Sequence, residues 1–190
     1  MEFKGSMTEK NLLAAFAGES QARNRYTFFA SVARKEGFEQ IAGIFAETAD
    51  NEKEHAQLFF EHLKGGDVEI TAKYPAGVVG TTKDNLRAAA AGEHLEWGTL
   101  YPQFEGVAKK EGFKDIAETF QEIASVESTH EKRYLKLLDN LEKDQVYKRP
   151  TAVKWKCRNC GNILEAKEAP LKCPVCEHPR AYFELFLENY

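Results

Sequence analysis

Glutamate and histidine stand three residues apart twice in this chain, as Glu52-x-x-His55 and Glu127-x-x-His130. On a helix that spacing sets the two side chains about 4.5 Å apart along the axis and on one face, so both reach the same metal-sized space. A single such pair arises readily by chance in Glu-rich helices; two at matching places in a repeated unit are far harder to dismiss. A second constellation differs in kind. Cys157-x-x-Cys160 and Cys173-x-x-Cys176 are all the cysteines of the chain and lie in its last 34 residues. Two C-x2-C knuckles gather four thiolates around one tetrahedral metal. Carboxylates with imidazoles suit iron or manganese, whereas an all-thiolate site suits iron or zinc. Two unlike metal sites on one chain point to electron transfer into a reaction centre.

The elements that must carry the first site are duplicated. Residues 8–19 match 82–93 at an offset of 74, and Ala33-Arg34-Lys35-Glu36-Gly37-Phe38 matches Ala108-Lys109-Lys110-Glu111-Gly112-Phe113 at 75, as do the two Glu-x-x-His pairs. Each half reads as two long helices, over 8–36 and 38–64 and over 82–111 and 113–143, with apolar residues at three- and four-residue spacing. Gly37 and Gly112 suit left-handed helix ends, and such tight connections force antiparallel neighbours. Residues 65–80, with Gly65-Gly66, Pro75 and Gly77, break the pattern and are long enough to cross a bundle. Two hairpins joined by a long crossover make the ferritin-like four-helix connection, so the fold class is mainly α. The change of offset places one extra residue in the third helix, absorbed by a π-bulge near Glu96 to Pro102 as the favoured reading, with a simple kink at Pro102 as the competing one.

A di-metal carboxylate bundle needs one glutamate from each of two helices and Glu-x-x-His from each of the other two. The chain supplies Glu19, Glu93 and the pairs Glu52/His55 and Glu127/His130. Glu54 has no counterpart in the repeat, and Glu47 and Glu122 lie five residues before the ligand glutamates and away from their face; all three are read as solvated. His62 is read as a surface residue and His94, next to Glu93, as pointing away. Glu96 lies three residues after Glu93, where the first half has Ala22, and is read as a further donor. Tyr26 and Tyr101 lie about two turns beyond Glu19 and Glu93 and are candidates to hydrogen-bond the ligand carboxylates.

The cysteine region is too short to bury a self-sufficient core, so its metal must supply folding energy. Trp155, Tyr182, Phe183, Leu185 and Phe186 are expected to form a small aromatic β core beside it, behind a linker near 144–153 that contains Pro150. Two domains are expected, a bundle over 1–146 and a metal module over 153–190. A formal charge of −4 with scattered Lys and Arg gives no general attraction to nucleic acid or anionic membrane. No window resembles a membrane span or export signal, and paired cysteines without such a signal favour metal ligation over disulfides. A cytoplasmic protein is the expectation. Residues 5–7, Gly-Ser-Met, read like a cloning scar and carry no weight.

These motifs together resemble the rubrerythrin family over essentially the whole chain. The likeness rests on Thr8-Glu9-Lys10-Asn11, on the run Ala17-Gly18-Glu19-Ser20-Gln21-Ala22-Arg23-Asn24-Arg25-Tyr26, on Ala91-Gly92-Glu93-His94, and on the two cysteine knuckles. The resemblance implies a di-iron bundle joined to a rubredoxin-like domain whose four cysteines bind one iron, with zinc possible as purified. It implies a hydrogen peroxide reductase that protects against oxidative stress and works as a homodimer or larger assembly. Electrons would come from NAD(P)H through a separate reductase, often with rubredoxin, and pass across a dimer interface. By resemblance, Glu19, Glu52, Glu93, Glu127 and His130 are persistent ligands, with Glu52 and Glu127 bridging. Glu96 and His55 are the exchanging pair, Glu96 in the oxidised site and His55 in the reduced one, and Tyr26 and Tyr101 support the ligands. The competing readings are a ferroxidase or iron-storage protein, a redox sensor and a di-iron oxygenase.

Overall fold

The structure is a computed structural model and describes residues 2–189; the outermost positions of the two expected domains, Met1 and Tyr190, lie outside the described residues. Helices α1 (Met7–Lys35) and α2 (Glu39–Glu61) form one hairpin. Helix α3 (Thr82–Leu95), a π segment (Glu96–Leu100) and α4 (Tyr101–Glu111) run on as one long rod, which pairs with α5 (Lys114–Glu142). Gly37 and Gly112 take φ of +85° and +92°, which lets each hairpin turn within two or three residues. Both expected hairpins form, with helix ends within three residues of those expected. The π segment falls where one residue is inserted between the halves, and Pro102 lies just beyond it, in the first turn of α4.

Capping explains the starts. Thr81 and Asp84 form a reciprocal capping box at α3, while the Ser6 side chain accepts from the Glu9 N–H at α1. Ser6 thus has a structural role in a stretch to which the sequence reading gave no weight.

The bundle has two apolar clusters with a polar layer between them. One holds Tyr26, Phe29, Phe45, Leu86, Tyr134 and Leu138; the other holds Leu12, Phe59, Tyr101, Phe120 and Ile123. Along every helix the switch from one cluster to the other falls at a ligand candidate: Glu19 on α1, Glu52 and His55 on α2, Glu93 on α3, Glu127 and His130 on α5. The core on either side supplies the stability that a layer of buried acids must consume.

The cysteine module is a three-stranded antiparallel sheet in the order β2-β1-β3, from β1 (Lys148–Cys157), β2 (Ile163–Glu168) and β3 (Phe183–Leu185). Strand β1 begins inside the expected linker. Pro150 is accommodated there because the β1–β2 register shifts between Lys148 and Val153, so its missing N–H breaks no regular ladder. Trp155, Phe183, Tyr182 and Leu185 pack with Cys157 and Cys173 as expected. Phe186 does not; its ring lies against the Lys154 ammonium outside this core.

The module docks on its own bundle. Tyr147 stacks on Phe38 at 6.2 Å and donates its hydroxyl to the Gly37 carbonyl at 2.6 Å. The Arg158 guanidinium rests on Gly43, where a Cβ would stand 2.7 Å from Nη2.

Candidate metal centres

Glu52 and Glu127 face each other across the polar layer and each turns one oxygen to each histidine. His55 Nδ1 lies 2.9 Å from Glu52 Oε2 and 2.8 Å from Glu127 Oε1. His130 Nδ1 lies 3.3 Å from Glu52 Oε1 and 2.8 Å from Glu127 Oε2. Two centres are thereby defined, one among Glu19, Glu52, His55 and Glu127, the other among Glu52, Glu93, Glu127 and His130. In each group the donor atoms all lie within 4.8 Å of one another and every residue is buried.

These donors fit a pair of cations. Both Glu127 oxygens, Glu52 Oε1, Glu19 Oε2, Glu93 Oε2 and His130 Nδ1 are buried without a hydrogen-bond partner, although nitrogen and oxygen stand only about 3 Å apart. Close approach without hydrogen-bond geometry is how ligands of a shared ion stand, and orphaned buried carboxylate oxygens are otherwise costly. Burial alone would raise the Glu52 carboxyl, but the facing His130 and His55 imidazoles outweigh it and bring it down to about 2. Burial opposes the charged imidazoles, yet the Glu127 and Glu52 carboxylates close beside them hold His55 up to about 10 and His130 up to about 9. Burial, then the neighbouring carboxylates, pushes Glu19 and Glu93 well above the usual carboxyl range.

The two tyrosines serve opposite halves. Tyr26 on α1 donates to Glu93 Oε1 on α3 at 2.5 Å, and Tyr101 on α4 donates to Glu19 Oε1 on α1. Burial and the adjacent carboxylates keep both phenols protonated, so they remain donors. At the Ala-Gly-Glu repeats an added side-chain carbon would make only ordinary contacts. A Cβ on Gly92 would sit 3.4 Å from Arg25 Nη2 and 4.0 Å from the Tyr26 hydroxyl, and one on Gly18 would sit 3.8 Å from Glu96 Oε1.

Glu96 stands outside both groups of donors, on the π segment at the wall of a cavity that Tyr101 also lines. His94 is exposed and pairs with Glu131, and Glu47, Glu54 and Glu122 are exposed, as expected. His62 is half-buried rather than superficial, its Nε2 lying 2.9 Å from Thr119 Oγ1. Tyr134 was missed. It is fully buried against Tyr26 at 5.6 Å, one turn beyond His130 on the same face. Its spacing from His130 was a usable signal, and its place in the repeat is taken by Phe59.

In the module, Cys157 and Cys176 Sγ lie 3.7 Å apart, as do Cys160 and Cys173, and all four sulfurs lie within 4.8 Å. A tetrahedron with metal–sulfur bonds of about 2.3 Å has edges of about 3.8 Å, so the cage is formed at the required size. The backbone N–H of His178 is the main cause drawing the Cys176 thiol down to about 6.

A crossover-linked helical bundle with two centres sharing a pair of carboxylates, followed by a tetrathiolate module, defines a ferritin-like di-metal protein with its own redox domain. The rubrerythrin family profile matches residues 10–138, and the profile described as the rubredoxin-like domain of rubrerythrin matches residues 155–184. The chain is 61% identical to the rubrerythrin of Porphyromonas gingivalis, over 98% of this chain and 94% of that one. A solved structure of nigerythrin in a mixed-valence state has a TM-score of 0.64 at 31% identity, covering 97% of this chain and 88% of its own. A bacterioferritin of Desulfovibrio desulfuricans shares the bundle fold, with a TM-score of 0.67 at 21% identity over 73% of this chain and 82% of its own. The chain belongs to the rubrerythrin family. Its cofactors are a di-iron pair in the bundle and one iron in the tetrathiolate module. No helix among the described residues is long and apolar enough to cross a membrane.

Proposed function

We propose that the chain is a hydrogen peroxide reductase, with residues 1–146 as the reaction domain and 153–190 as the electron-delivering one. The observation that carries this reading is the pair of centres sharing Glu52 and Glu127 beside a cavity that bears Glu96. When bound, a ferrous pair supplies the two electrons that split the O–O bond and a template for the departing oxygens. Glu52 and Glu127 span both positions through opposite oxygens, Glu19 and Glu93 close the ends, and His55 and His130 offer Nδ1. Tyr101 and Tyr26 hold Glu19 and Glu93 in place as protonated donors. Glu96 and His55 form the exchanging pair: replacing an anionic carboxylate by a neutral imidazole matches the loss of positive charge on reduction. His55 stands among the donors and Glu96 at the cavity wall, the two places from which such an exchange would draw.

Electron delivery favours an assembly. Arg158, beside Cys157, rests on Gly43, which α2 sets about 18 Å along its axis from His55. A second copy packed so that its module reaches this bundle would shorten that path, so a homodimer or larger assembly is the working form. The external donor is NAD(P)H-linked, through a rubredoxin or a dedicated reductase, and the setting is cytoplasmic. Rapid mixing of anaerobically reduced, iron-loaded protein with peroxide or with oxygen tests the function through the return of ferric–thiolate colour. Fast recolouring with peroxide and slow recolouring with oxygen is expected, and Glu96→Ala should slow the peroxide reaction while leaving the bundle folded. Weak response to peroxide with ready oxidation of added ferrous iron would favour ferroxidase instead.

A further inference from the structure

The cavity beside Glu96 is larger than hydrogen peroxide requires. It encloses about 220 Å³. At about 30 Å³ per water in the liquid, that is room for roughly seven waters, whereas hydrogen peroxide has two heavy atoms. Its inner wall carries Glu96 and Tyr101, the latter hydrogen-bonded to Glu19 of the di-metal layer. The remaining wall is more apolar than polar, with Ala14, Ala15, Leu95, Leu100 and Phe104 set against Gln21 and Arg25 from α1 and Lys73 from the crossover. Residues 71–75 of the crossover close one side, and Leu95, 42% exposed, marks the approach from solvent. A site with one polar end at the reacting groups and an apolar chamber behind it suits a molecule with the same division.

We propose that this cavity admits organic hydroperoxides, with the O–O–H end at Glu96 and Tyr101 and the hydrocarbon against Ala14, Leu95, Leu100 and Phe104. This rests on the peroxide reductase reading and names a second substrate class for the same site. The reaction is ROOH + 2e⁻ + 2H⁺ → ROH + H₂O: the O–O bond breaks, and the two electrons are those that hydrogen peroxide would take from the reduced protein. The small side chain of Ala14 is what leaves the chamber open.

Cumene hydroperoxide and hydrogen peroxide are compared in single turnovers of the reduced, iron-loaded full-length protein. Turnover of cumene hydroperoxide within about tenfold of hydrogen peroxide is expected, with Ala14→Phe costing at least about tenfold for the bulky substrate and less than about twofold for the small one. Leu95→Trp narrows the same chamber at a half-exposed position and should act alike if Ala14→Phe does not fold. Binding of 2-phenyl-2-propanol, the product alcohol, is measured by calorimetry on the same proteins and should be lost in the filled variant. A wild-type protein that reduces hydrogen peroxide but turns over cumene hydroperoxide more than about a hundredfold more slowly overturns the inference alone. So does a filled variant that slows both peroxides equally. If neither peroxide is reduced, the peroxide reductase reading falls, and alcohol binding decides the cavity: loss of binding on filling supports it, and no binding to wild type overturns it.

Discussion

Loading metal into the metal-free protein should expel protons in a number that the polar layer sets. With His55 held up to about 10 and His130 up to about 9, each imidazole is more than about 98% protonated at pH 7. Each Nδ1 must lose its proton to become a ligand, so two protons leave per chain from the histidines. Glu52, brought down to about 2, contributes none. Glu19 and Glu93, raised by burial and by their neighbours, add to the count. At least two protons per di-metal pair is therefore the expected yield. By linkage the apparent affinity for the pair should rise about a hundredfold from pH 7 to pH 8. The assay is anaerobic addition of ferrous or manganous ion in weak buffer with an indicator dye. A Glu52→Ala/Glu127→Ala variant, which keeps only the cysteine site, supplies the value to subtract. Release of less than one proton per pair after subtraction would refute protonated imidazoles facing the carboxylates.

The same charges govern the stability of the metal-free protein. His55 and His130 have raised values, so their contribution is complete below their unfolded range near 6.5 and is lost as pH climbs through about 9 to 10. Glu19 and Glu93 add a penalty in the same direction as they ionise. Melting of metal-free protein should drop between pH 6 and pH 10, and a rise over that span would contradict the assignment. Cys160→Ser should abolish donor-supported turnover and bleach the ferric–thiolate colour while leaving one round of peroxide oxidation at a chemically reduced bundle; loss of that round too would mean the sites are inseparable. Glu177 has φ +63° at the position where the other knuckle has Gly161 at +78°. Glu177→Gly should relieve about 1–2 kcal/mol of left-handed strain. Against this it loses an exposed ion pair to Lys172, 3.1 Å long and worth up to about 1 kcal/mol. A higher denaturant midpoint for the module is the expected result, and a lower one would show the contact outweighing the strain.

The ligand layer could be read from the chain because a helix converts spacing into geometry. Glu-x-x-His needs no tertiary information to place two side chains on one face, and the repeat then separated Glu19 and Glu93 from the many solvated glutamates. The inserted residue was legible for the same reason, since a change of offset inside one helix has few structural solutions. What escaped depends on contacts across helices. The crosswise pairing of Tyr26 with Glu93 and Tyr101 with Glu19 is set by how the hairpins meet, not by spacing along either one. Tyr134 carries no partner in the repeat, because Phe59 occupies its place. Docking of the module through Tyr147, Phe38 and Gly43 depends on surfaces more than a hundred residues apart, and Pro150 disguised the start of β1 as a linker.

The two halves match in Glu19/Glu93 and in their Glu-x-x-His pairs, and differ by one residue in length and by the residue that follows the first glutamate by one turn. In the first half, Ala22 stands buried where the second half has Glu96. The extra residue turns Glu96–Leu100 into a π segment, which widens the helix locally and displaces the residues that follow from α-helical register. Glu96, at the start of this segment, lies on the cavity wall with Gly18, and Gly92 and Arg25 line the same cavity. A glutamate at the place of Ala22 and one inserted residue after it together set a carboxylate and a chamber beside the ligand layer.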